Sequence, residues 1–209
     1  MRSLVATLGP LKVDEGLADL AEELEIEAED EPRLAPFLPA VEEKRAAVEE
    51  TSKVLRKASA KGRVAGRRVK REDKGVKRSA AAVAKVLEAY KDEPGVAAVI
   101  AQAFPVSATE GTAGFADEKQ ARFVRNVIER VRAAPGMPDK VLQRVNELEA
   151  ARAKLDGALR RREEARYAQS QAKAGQDEAV AAACVFYNEL YFDVAKVVGK
   201  ARAEAIFAR

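Results

Sequence analysis

The chain has 209 residues, 34% of them charged, with 37 Lys and Arg against 34 Asp and Glu, and Cys184 is its only cysteine. It contains no histidine and no tryptophan. That excludes imidazole acid/base catalysis, histidine-dependent triads, zincin-type metal sites and carboxylate-plus-histidine di-iron centres, while a lone cysteine excludes an internal disulfide framework or a thiolate-rich metal site within one chain.

Aromatic residues make up only 5% of the chain and alanine supplies much of its apolar content, a composition suited to thin layers between helices rather than to a broad core. The expected class is all-α: an elongated antiparallel bundle of long helices with short accessory helices. No cofactor and no metal are expected. A reducing, cytoplasmic setting follows from the cysteine usage.

Residues 1–12 read as an extended lead-in, because Gly9-Pro10 punctuates and no helical period is visible. One basic residue and a short apolar run do not make a cleaved secretory signal. From Val13 a helix is expected with Leu17, Leu20, Ala21 and Leu24 inward and the acidic run Glu22, Glu23, Glu25, Glu27, Glu29, Asp30 and Glu31 around it. Pro32, Pro36 and Pro39 then enforce a turn that Leu34, Phe37 and Leu38 can pin to the bundle.

The stretch 41–90 organises the rest. Val41, Val48, Leu55, Gly62, Val69, Val76, Val83 and Tyr90 recur every seventh residue, the period of a long helix offering one seam to a partner. Gly62, Gly66 and Gly75 each cost about 1 kcal/mol in a helix interior and argue for a break. A turn has no reason to keep the seven-residue phase, so one continuous helix is expected, with Ala58, Gly62 and Gly66 allowing close approach of a partner such as Ala168, Ala172 and Gly175.

Pro94-Gly95 interrupts, and Val96, Val99, Ile100, Ala103 and Phe104 predict a short apolar helix. Residues 105–115, rich in Ser, Thr, Gly and Ala, read as a linker. The pattern then recurs. A short helix opening at Ala116-Asp117-Glu118 carries Ala121, Phe123, Val124, Val127 and Val131 inward, the turn Pro135-Gly136-Met137-Pro138 ends it, and a long helical stretch runs to Arg209. Its polar middle, residues 160–177, contains Gly175, about a hundred residues after Gly75. Residues 1–104 and 116–209 thus read as tandem copies of a short-helix, proline-turn, long-helix unit, packed together in one bundle. No stretch approaches the ~20 apolar residues of a membrane span.

Charge is segregated along the chain: residues 1–50 hold 5 basic and 14 acidic residues, and residues 51–91 hold 14 and 3. Arg63, Arg67, Arg68, Lys70, Arg71, Lys74, Lys77 and Arg78 form a cationic stripe that can follow a phosphate backbone, since each neutralised phosphate releases counterions. The alternative is neutralisation by the acidic helix or by Glu163, Glu164, Asp177 and Glu178, although a helix over residues 13–31 reaches only to about Lys57. No aromatic residue interleaves the stripe, so single-stranded bases have no stacking platform there. The acidic run lacks calcium-loop spacing.

Phe186, Tyr187, Tyr191, Phe192 and Phe207 spread over a wider arc than one neighbour needs. Phe186, Tyr191 and Phe192 are the candidates for an interface with a protein partner or a second copy, as exposed aromatic patches on charged proteins mark such surfaces. The functional expectation is a non-enzymatic structural or adaptor protein acting through protein–protein interaction or self-assembly. Nucleic-acid binding through residues 63–78 is the alternative, and no small-molecule substrate is inferred.

Overall fold

The computed structural model describes residues 9–103 and 117–207. The expected linker 105–115, with Phe104, lies outside them. Six α-helices follow one another: α1 Pro10–Asp30, α2 Leu38–Ala89, α3 Pro94–Ala103, α4 Asp117–Ala133, α5 Asp139–Val198 and α6 Lys200–Ile206, with a 3-10 turn, Pro32–Phe37, between α1 and α2. No strand occurs among the described residues, and the protein is an all-α helical bundle in which α2 and α5 pack together.

Two boundaries differ from the sequence expectation. Helix α1 begins at Pro10 rather than beyond Lys12, with Gly9 as its cap. A proline in the first turn lacks only an N–H that would have no intrahelical partner anyway, so it opens a helix as readily as it ends one. The final helical stretch does not run unbroken from residue 139: Gly199, at φ +83°, ends α5 and starts α6. That left-handed conformation is open to glycine at little cost.

Helix α2 is continuous for 52 residues and carries its three interior glycines without a break. Along it Val41, Val48, Val69, Val76 and Val83 are buried. Burial repeats in α5 one hundred positions on: Val141 for Val41, Leu148 for Val48, Ala158 for Ala58, Gln176 for Val76, Val180 for Ala80, Ala183 for Val83 and Tyr187 for Leu87. Similarly, Leu17, Leu20 and Leu24 of α1 are matched by Val124, Val127 and Val131 of α4, all buried. The short-helix, turn, long-helix pattern is therefore present twice.

The chain divides into two compact units, and both draw on the two long helices. Unit 1 takes Met1–Gly62 and Ala165–Arg209; unit 2 takes Arg63–Glu164. In unit 1, Val13, Leu17, Leu20 and Leu24 of α1, Leu34 of the turn, and Val41 and Val48 of α2 share a core with Leu190, Tyr191, Val194 and Phe207. Phe37 and Leu38 pack against it, as expected of the proline turn. Three carboxylates of α1 form ion pairs within the unit, Asp14 with Arg45 at 3.4 Å and Glu27 and Asp30 with Arg202. Ser52 and Gln176 hydrogen-bond at 2.9 Å, while a Cβ on Gly62 would lie 3.2 Å from Gln169 Oε1. As α2 advances from 52 to 62, its neighbour on α5 retreats from 176 to 169, so the pair is antiparallel here. The glycine contact predicted with small residues is thus made with a glutamine; Gly66 and Gly175 have open space.

Unit 2 has a core of Val69, Val76, Ala80, Val83 and Leu87 from α2, Val96 and Val99 from α3, Val124, Val127 and Val131 from α4, and Val141, Val145, Leu148 and Leu155 from α5. Arg132 of α4 bonds Asn146 and Glu149 of α5. The turn after α4 passes through Gly136 at φ +71°, and a Cβ on Gly95 would fall 2.8 Å from the Pro135 carbonyl oxygen.

Candidate functional site

Within unit 2, α2 and α5 leave a groove of about 830 Å³ between them, lined by Arg67, Arg68, Arg71 and Glu72 from α2 and by Ala153, Lys154, Gly157, Ala158 and Arg161 from α5. Its chemistry follows from helix geometry. Arg68 and Glu72, four residues apart, stand on the flank of α2 beside its buried seam, and Arg67 and Arg71, also four apart, follow on the outer face, from which their long side chains reach the rim of the groove. Lys154 and Arg161 stand two turns apart on α5, roughly 10 Å along its axis. The small residues between them leave the floor low.

The five cations face a single lining carboxylate, Glu72. Among the described residues none of the five forms an ion pair, and Arg67, Arg68, Arg71, Lys154 and Arg161 are all exposed. Several of the groups that could have neutralised the stripe are engaged elsewhere: Glu163 lies 3.7 Å from Arg162, Asp177 accepts from Lys173 at 3.0 Å, and Asp14, Glu27 and Asp30 of α1 pair with Arg45 and Arg202.

Of the eight cations marked in the sequence, three are brought together in this groove. Arg63, Lys70, Lys74 and Arg78 are exposed on the same helix without lining it, while Lys77 is tied to Asp73 at 3.0 Å. Lys154 and Arg161 were not among the sequence candidates. The consecutive Arg160, Arg161 and Arg162 were a visible signal, but only the register of α5 against α2 shows that one of them meets Arg67 and Arg71.

No family model matches the chain. No curated protein and no solved structure matches it significantly either.

The aromatic group of α5 separates into two environments. Tyr191, at 5% exposure, is a core residue, with Phe207 edge to face at 5.5 Å and Phe192 at 5.3 Å. It is out of reach of a partner. Phe186 is half-buried with Lys44 Nζ 5.9 Å from its ring centre. Phe192 is 60% exposed, and Val185, one heptad earlier on the same helix, is 56% exposed. Cys184 is buried, and that burial pushes its thiol up, away from the thiolate a nucleophile requires. Among the described residues no cluster of His, Cys, Asp and Glu could hold a metal ion, and no helix is long and apolar enough to cross a membrane.

Proposed function

We infer that this chain is a non-enzymatic structural or adaptor protein that acts through self-assembly or a protein partner, using the outer face of α5 in unit 1. The observation that carries this reading is the exposed pair Val185 and Phe192. Both lie well away from the arc of α5 that supplies Val180, Ala183, Tyr187, Leu190 and Val194 to the core. A solvent-facing phenylalanine one heptad from a solvent-facing valine forms an apolar stripe that a second helix can cover. Charged side chains around it, including Glu189, Asp193 and Lys196, would set partner choice more than affinity.

Sedimentation equilibrium on the wild-type chain and on Phe192→Ser tests the reading. The expected result is concentration-dependent association of the wild type, lost in the variant with the same circular dichroism. Wild-type protein that stays at the monomer mass up to submillimolar concentration, or a variant that associates equally well, would overturn self-assembly through this face.

A further inference from the structure

We propose that the groove of unit 2 binds the phosphate backbone of a nucleic acid without reading its sequence. This site is separate from the α5 stripe in residues and in chemistry, and neither reading depends on the other.

Four of the five cations lining the groove are arginines. A guanidinium presents a planar fork that matches phosphate oxygens two at a time, and it is always charged. Cations gathered in a concavity without ion-pair partners repel one another, and an anion placed among them relieves that repulsion. The floor is Ala153, Gly157 and Ala158, and a Cβ on Gly157 would meet nothing within 4 Å. Packing therefore does not demand glycine there, and its effect is to keep the groove deep. Exposed Arg63, Lys70, Lys74 and Arg78 extend the positive surface along residues 63–78, roughly 22 Å of helix axis. That is long for a single small anion, whereas a duplex presents one charge per about 1.7 Å.

Two absences among the lining residues narrow the class further. None is aromatic, so bases have no surface on which to stack, and recognition falls to the backbone. None is a large apolar side chain, so a protein partner would find no buried anchor of the kind that holds protein interfaces together.

Fluorescence anisotropy with labelled duplexes of two unrelated sequences, using the full chain over a range of salt, tests the proposal. Equal affinity for both duplexes is expected, with a log–log salt slope of about −4.5 if all five cations displace counterions, or about a 500-fold loss from 50 to 200 mM salt. The triple variant Arg67→Gln, Arg71→Gln, Arg161→Gln should lose at least tenfold in affinity and bring the slope to about −2. Neutralising Lys85, Arg122 and Arg125, exposed cations of unit 2 outside the groove, should cost less than threefold. Gly157→Met fills the groove without changing charge and should also weaken binding. Circular dichroism and thermal midpoints confirm that each variant is folded. No binding at 50 mM salt, equal losses in the two triple variants, wild-type affinity in Gly157→Met, or tighter binding to polyglutamate than to duplex would each overturn the proposal.

Discussion

In unit 1 the short helix α1 and the turn Pro32–Phe37 pack on α2, and the space is closed by rings: Tyr187 and Tyr191 meet Phe207 edge to face at 5.0 and 5.5 Å. In unit 2 the short helix α4 and the turn 135–138 take the same role beside α5, yet its buried side chains are valine, leucine and alanine, with Tyr90 and Phe123 only at the margin. The charges diverge as well. Unit 1 holds 15 basic and 19 acidic residues, net −4, and unit 2 holds 22 and 15, net +7. One frame of heptad-spaced burial thus accepts two fillings. The rings of unit 1 gather at Phe207, just past the short helix α6, whereas in unit 2 the backbone at Gly95 comes close to the Pro135 carbonyl.

The largest effect is expected at Phe207, the largest fully buried side chain. Phe207→Ala should cost about 3–5 kcal/mol in chemical denaturation. Hydrogen exchange should then rise in α1 and α6 while the amides around Val76 and Leu148 stay protected; uniform loss of protection would show that the two cores are not separately held. Next, Gly95→Ala places a methyl group against a carbonyl oxygen that cannot swing aside, and should cost about 1–3 kcal/mol. Its companion Gly66→Ala, where a Cβ meets nothing within 4 Å, should stabilise the helix by about 0.5–1 kcal/mol. Equal effects from the two would show that the close approach of Gly95 to the Pro135 carbonyl does not demand glycine.

The smallest effect concerns pH. Arg33 Nε and Nη2 donate to Glu31 at 2.7 and 2.8 Å and hold its carboxyl at about 2, well below the ordinary range. Since the folded-state value is depressed, the contribution is fully present above the ordinary carboxylate range and is lost as pH falls through about 2. The pair is exposed, so its effect on stability is slight. An NMR titration of Glu31 should show the low value in the wild type and an ordinary one in Arg33→Gln.

Much of this was legible without coordinates. The seam from Val41 to Tyr90 specified α2 despite Gly62, Gly66 and Gly75, because burial of valines every seventh residue outweighs the propensity cost of three glycines. The misses share a cause. Pro10 and Gly199 are residues whose local conformation allows either a start or a stop, and their neighbours decide which. Tyr191 and Phe192 are adjacent and chemically alike, so only helix rotation tells the core ring from the exposed one. The groove depended on axial register between two long helices, which periodicity along either helix leaves undetermined. Lys154 and Arg161 joined the site through pairing, not through spacing.

The division of the chain carries a consequence for synthesis. Unit 2 is one uninterrupted stretch, Arg63–Glu164, whereas unit 1 brings Leu17 and Leu24 together with Tyr191 and Phe207. A ribosome delivers residues in order, so every side chain of the valine core is available once Glu164 has emerged. The aromatic core must wait for Phe207, with the apolar face of α1 covered only by the turn and the start of α2 in the meantime. The exposed acidic side chains of α1, Glu15, Asp19, Glu22, Glu25 and Glu29 among them, flank that waiting surface with like charge, which disfavours its association with the same segment on a neighbouring nascent chain.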